Sequence, residues 1–200
     1  MKREVQMMKE LQHPNLPLFI AELEESGDGY IVMERVTGNE LTHIIRSAAQ
    51  SHQAVTPTGS YVPWKVIIAF GRQLLSVLDH MHGKGYIHRD IKPANVHLGD
   101  DGELRVLDLG VAKSGMESEQ QDLSPQAGTP SFLAPEQFDG QPASPQTDLY
   151  ATGVTLYYAL TRHYPYGEVE PFQRPRFGEP VPPWLLTGTS SSSHTAHSGS

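Results

Sequence analysis

The sequence predicts an α+β fold, with a small β-hairpin portion placed ahead of a mainly helical body. Three observations carry this. Two apolar segments, "LPLFIAELEE" and "YIVMERV", flank the turn signal "SGDG" near the start of the chain. Two later runs, "WKVIIAFGRQLLSVLDHMHGKG" and "TDLYATGVTLYYALT", carry sustained apolar helical patterns. Between them, "NVHL", "GDDG" and "LRVLDLG" form a second short hairpin pattern.

Each element follows from its residues. "KREVQMMKELQ" sets Val5, Met8 and Leu11 on one helical face, with Met7 and Met8 read as packing residues, and "HPN" stops the helix. The first hairpin follows. Gly38 to Ser47 predicts a short polar helix, and Ala48 to Val62 a Ser/Thr/Gly/Pro-containing loop. The long run from Trp64 ends on glycines that suit a helix C-cap. Val111 to Gln126 is polar and reads as a loop, while Thr147 is placed to cap a buried helix from Asp148 onward. Proline-rich coil is expected from Pro165 to Pro183. The last stretch, "TGTSSSSHTAHSGS", has almost no apolar residue to repay its ordering entropy, so it is expected to be disordered.

Composition narrows the function classes. The chain has 200 residues, a hydrophobic share of 38% and a net charge of -8. An acidic balance disfavours a nucleic-acid partner, whose binding footprint is basic. Without cysteine, disulfides and thiolate metal sites are out of reach, in keeping with a reducing, cytoplasmic setting. No apolar run reaches the roughly 18 to 20 residues of a bilayer span, and the charged opening residues do not read as a signal peptide.

The chemistry concentrates in "IHRDIKPAN", Ile87 to Asn95, followed by "DLG" at Asp108 to Gly110, "GTPSFLAPE" at Gly128 to Glu136 and "DLYATG" at Asp148 to Gly153. In this order and spacing the motifs resemble those of the eukaryotic-type protein kinase family, over roughly Glu4 to Tyr166. The pattern "DIKPAN" resembles the serine/threonine branch. Ser144 to Val181 is also similar to kinase modules of bacterial proteins that carry a phosphatase domain.

The resemblance implies a protein-kinase-like fold: a residual N-lobe over 1–36, a C-lobe over 37–183 that is incomplete at its end, and a tail over 184–200. It implies transfer of the γ-phosphoryl group of ATP, with Mg²⁺, to a serine or threonine hydroxyl of a protein substrate. Fixed charges on a rigid loop suit such a reaction, because catalysis is mainly positioning and electrostatic stabilisation. Asp90 matches the aspartate that orients the acceptor hydroxyl, and Lys92 the lysine that neutralises the γ-phosphate. Asn95 and Asp108 match the oxygen ligands of Mg²⁺.

For the nucleotide, Met33 corresponds to the gatekeeper, the backbone of Glu34 and Val36 to the adenine contacts, and Glu40 to the ribose contact. His97 stands where the family commonly has an apolar residue under adenine. His88 is expected to be a core histidine rather than an acid or base. Arg89 and Ser124 match regulatory positions, with Ser124 the better phosphosite and Thr129 a partner of Asp90 and Lys92. Glu136 matches a glutamate whose arginine partner is expected to be missing, Asp148 is assigned a structural role, and Glu4 matches the helix glutamate that pairs with a strand lysine.

No glycine-rich loop and no such lysine precede the opening helix in this sequence. Alternative readings are therefore a pseudokinase-like binding or scaffold module, and an inactive product of a truncated reading frame. Bland explanations suffice elsewhere: the Asp100-Asp101 pair reads as turn chemistry, and His194 and His197 as part of a solvated tail.

Overall fold

The computed structural model describes residues 2–26, 28–50, 62–109, 113–114, 130–169 and 174–186. Helix α1 (Lys2–Glu10) buries Val5 and Met8, and Leu11 just after it is buried too, the face its spacing predicts; Met7 is buried as well. The turn at His13 to Leu16 leads into β1 (Phe19–Glu25), which pairs antiparallel with β2 (Asp28–Met33). This hairpin is thinly covered: Leu18, Ile20, Leu23, Tyr30 and Met33 are all exposed.

Strand β3 (Asn39–Glu40) opens directly into α2 (Leu41–Gln50). The expected polar helix is instead amphipathic, because Leu41 and Ile45, one helical turn apart, are both buried. It also runs on past Ser47 into the stretch expected to be loop.

Helix α3 (Trp64–Gly83) is the axis of the core. Ile67, Phe70, Leu74, Val77, Leu78 and Met81 recur at spacings of three and four and are buried. After β4 (Tyr86–Ile87) and a 3-10 turn (Pro93–Asn95), β5 (Val96–Leu98) pairs with both β3 and β6 (Leu104–Val106), giving the sheet order β3-β5-β6. Strand β7 (Lys113–Ser114) returns to pair with β4, inside a stretch that the sequence presents only as polar loop. Such a two-residue pairing between segments far apart in the chain leaves no alternation to read.

Helix α4 (Pro135–Phe138) precedes α5 (Pro145–Thr161), which packs on α3. Helix α5 begins three residues earlier than expected. Its N-cap is Ser144, and Thr147 is the third helical residue, its Oγ1 accepting the Ser144 backbone N–H at 3.0 Å. Pro145 at the first helical position suits this start, because its missing N–H would have no intrahelical partner there.

The proline-rich segment beyond α5 is anchored rather than loose. Phe177 lies edge-on to Phe138, Tyr150 and Tyr166, Arg174 pairs with Asp139, and Tyr157 donates to the Val181 carbonyl at 2.6 Å. It ends in α6 (Pro183–Leu186), a single turn against α5 that crosses the expected boundary of the tail. The remaining tail residues, from 187 on, lie outside the described residues. Among the described residues, no helix is long and apolar enough to cross a membrane.

Candidate active site

The charged loop between β4 and β5 is held from beneath by one buried carboxylate. Asp148, in the first turn of α5, is fully buried and accepts the backbone N–H groups of His88 at 2.9 Å and Arg89 at 2.8 Å. Its Oδ2 also meets His82 Nε2 at 2.7 Å. Arg89 adopts φ +73°, a left-handed conformation that costs a non-glycine residue free energy, so the two amide bonds are what fix the bend. This gives the sequence-predicted structural residue a definite task. His88 is fully buried as well, and burial pushes its pKa below the ordinary histidine value, which keeps the ring neutral. Its Nδ1 accepts the Asp90 N–H at 3.4 Å.

Above this base the predicted catalytic residues converge. Lys92 Nζ lies 2.6 Å from Asp90 Oδ2. Asn95 Nδ2 donates to the same oxygen at 2.8 Å and to the Asp90 carbonyl, also at 2.8 Å. With both amide hydrogens directed at Asp90, the Asn95 Oδ1 is left as its acceptor. Asp90 is thereby fixed in place by a cation and an amide, with Oδ2 engaged and Oδ1 making no hydrogen bond among the described residues.

Asp108 follows β6, and the Leu107 N–H donates to the Asn95 carbonyl at 2.8 Å, which ties the two candidate metal ligands together through the backbone. Asp108 is exposed with φ +62°, while Leu109 beside it is buried. Two oxygen donors of this kind, a carboxylate and an amide carbonyl, suit a hard divalent cation that keeps several waters.

Two of the candidate nucleotide residues share one sheet, and the other three lie on or just after β2. Glu40 of β3 and His97 of β5 are direct antiparallel partners, and His97 is in turn opposite Arg105 of β6. Directly paired residues share a face, so these three side chains form a row. Val96, on the other face of the same strand, is buried. Met33 ends β2 and is exposed. The Glu34 N–H donates to the Leu18 carbonyl at 2.8 Å, and its side chain Oε2 accepts the Leu18 N–H at 3.2 Å, so the Glu34 carboxylate turns back to β1. Val36 lies between β2 and β3, half-buried.

Glu136 does not stand alone as expected. It is half-buried and accepts the Thr147 hydroxyl at 3.0 Å, a partner supplied by the same first turn of α5 that holds Asp148. Ser124 and Thr129 lie outside the described residues, as does the side chain of Glu4. The roles of His82 and Thr147 were missed from sequence. Thr147 lies one residue from Asp148 and could have been found by asking which neighbour reaches Glu136.

Comparison with known proteins agrees with this geometry. The protein kinase domain family matches residues 1–175. Residues of the chain are 31% identical over 175 positions to the hormonally up-regulated neu tumor-associated kinase homolog of Xenopus tropicalis, covering 86% of this chain and 23% of that protein. They are 34% identical over 177 positions to a "probable serine/threonine-protein kinase" of Corynebacterium efficiens, covering 86% of this chain and 25% of that protein. A "probable serine/threonine-protein kinase PknB" of Lactococcus lactis is 34% identical over 165 positions, covering 82% of this chain and 25% of that protein. The chain thus spans about a quarter of the length of these relatives. With the family matched over most of its residues, and a fold and loop of the expected kind, the chain belongs to the protein kinase family.

Proposed function

We propose that the chain carries the catalytic loop of a serine/threonine kinase and transfers the γ-phosphoryl group of ATP to a protein hydroxyl. The observation that carries this reading is the Asp90 carboxylate, fixed by Lys92 and Asn95 over a loop clamped by Asp148.

On this reading Asp90 orients the acceptor hydroxyl and accepts its proton as the oxygen attacks phosphorus. Lys92, already within ion-pair distance of Asp90, is placed to share its charge with the transferred group. Asn95 and Asp108 are the residues that would hold Mg²⁺, which when bound neutralises phosphate charge. The Glu40 and His97 row is the floor of the nucleotide site, with Met33, Glu34 and Val36 along its edge. Loose transition states of this kind gain from fixed charge more than from acid-base strength, which suits a carboxylate held by two partners.

The kinase reading is favoured over a scaffold because Asp90, Lys92, Asn95 and Asp108 are all present in the sequence, with Lys92 and Asn95 both on the Asp90 carboxylate. A purely binding module has no need of Asp90 beside Lys92. The test is transfer of labelled γ-phosphate from Mg-ATP to serine- and threonine-containing peptides. Asp90→Asn is expected to lower it by about 10²- to 10⁴-fold, with nucleotide binding retained. Asp108→Asn should weaken Mg-dependent nucleotide binding as well. Equal transfer by the parent chain and Asp90→Asn would overturn the assignment.

A further inference from the structure

The turn between α1 and β1 is fastened to the helical body through a histidine whose protonation state is fixed by geometry. The Asn15 backbone N–H donates to His13 Nδ1 at 3.1 Å. A backbone amide can only donate, so Nδ1 carries no proton and Nε2 does. The His13 Nε2 contact to Ser76 Oγ of α3, at 3.1 Å, is therefore a donated bond. Beside it lies a second imidazole: the His80 ring is 5.4 Å from His13, tilted by 47°, and its Nε2 is enclosed without a hydrogen-bond partner among the described residues.

The bonds that follow reach towards Asp108. With the turn set by His13, buried Asn15 donates from Nδ2 to Gln73 Oε1 and to the Leu104 carbonyl, both at 2.8 Å. Its own carbonyl accepts the Val106 N–H at 2.9 Å. Asn15 thus serves as a short extra partner for β6, which ends two residues before Asp108.

We infer that neutral His13 is a latch joining the α1–β1 turn to α3 and β6, and that protonating its ring releases the turn. A proton on Nδ1 would face the Asn15 N–H donor head-on, and the new charge would sit beside the His80 ring. The surrounding charges do not offset this. Lys9 of α1 is directed to Glu22 and the Phe19 ring, and Glu10 is taken by Gln6 and Tyr86. Arg72 and Asp79 of α3 are exposed. Glu34 shares a cavity of about 370 Å³ with His13, but its Oε2 already accepts the Leu18 N–H. Burial, with a smaller repulsion from His80, pushes the His13 pKa below its ordinary value. The latch therefore depends on pH and does not depend on phosphoryl transfer.

The test is a histidine NMR titration of the 200-residue chain, paired with amide exchange at Val106, the donor to Asn15. His13 is expected to titrate below the ordinary histidine value of about 6.5. Val106 exchange, corrected for its intrinsic pH dependence, should lose protection by up to about tenfold per pH unit from about pH 6.5 down to that midpoint, and level off below it. His13→Asn supplies an Oδ1 in place of Nδ1, as in an Asx turn, and cannot titrate. It should keep Val106 protected at pH 5.5. If that variant fails to fold, His80→Gln, which leaves His13 in place, should raise the His13 midpoint. A His13 midpoint at or above about 6.5, the same loss of Val106 protection in His13→Asn, or an unmoved midpoint in His80→Gln would each overturn the latch.

Discussion

Asp148 shows how one buried side chain can set the geometry of a loop it never leaves the core to touch. Its two oxygens satisfy three donors, and two of these are backbone amides at the point where Arg89 takes a left-handed conformation. An asparagine there must turn an NH₂ towards at least one of those donors, which both removes a charged acceptor and sets donor against donor. Asp148→Asn is expected to cost about 2–3 kcal/mol of stability, in the range of hydrogen bonds to charged groups. The urea midpoint measures this, and His82→Gln, which can still donate, should lose under about 1 kcal/mol. Equal losses would mean that His82 rather than the loop amides is what Asp148 serves. At this scale the sequence was informative about chemistry but less so about partners. Asp90, Lys92 and Asn95 were legible because they fall within six consecutive residues, whereas Glu136 finds Thr147 eleven residues away, across a turn whose path no local pattern dictates.

At the scale of elements, the small sheet β3-β5-β6 joins Glu40 and His97 to Asn95 and Asp108, and its alignment depends on a close backbone approach at Gly38. Gly38 has φ +96°, and a Cβ there would stand 2.0 Å from the Leu98 carbonyl oxygen. That oxygen belongs to β5 backbone and cannot rotate aside. Gly38→Ala should therefore push β3 off β5, separating Glu40 from His97, and cost at least about 1–3 kcal/mol from the backbone conformation alone. Gly153 is the control. It is exposed on α5, with nothing within 4 Å of an added Cβ, so Gly153→Ala should stabilise by about 0.5–1 kcal/mol. Thermal melts of the two variants should move in opposite directions. Helices α1, α3 and α5 and both hairpins were legible because each repeats a period over enough residues, or brackets a turn, to show its face. Strand β7 and the seat of Phe177 among Phe138, Tyr150 and Tyr166 were not, since both depend on meeting distant segments rather than on any pattern of their own.

For the molecule as a whole, the two histidines with depressed pKa make a joint prediction about acid. His13 and His88 are both held neutral chiefly by burial, His88 completely. Each would take up a proton near pH 6.5 in the unfolded chain but at lower pH in the folded one. Between those limits the unfolded state binds more protons, so stability rises with pH there. The contribution is fully present above the unfolded value, is lost as pH falls through it, and levels off below the folded values. With two such groups the slope is at most about 2.7 kcal/mol per pH unit. The carboxylates with lowered pKa, Glu10 and Asp101, are at the surface and act only near or below about pH 4. Burial raises the Tyr150 pKa, which matters only above about pH 10, where the unfolded tyrosine ionises first and stability falls with rising pH. Between pH 7.5 and 5.5 the histidines should therefore dominate. Melting temperature is expected to fall across that interval in the parent chain, less in His13→Asn or His88→Phe, and least in the double variant. A melting temperature flat from pH 7.5 to 5.5 in the parent chain would mean that neither ring is held neutral by the fold.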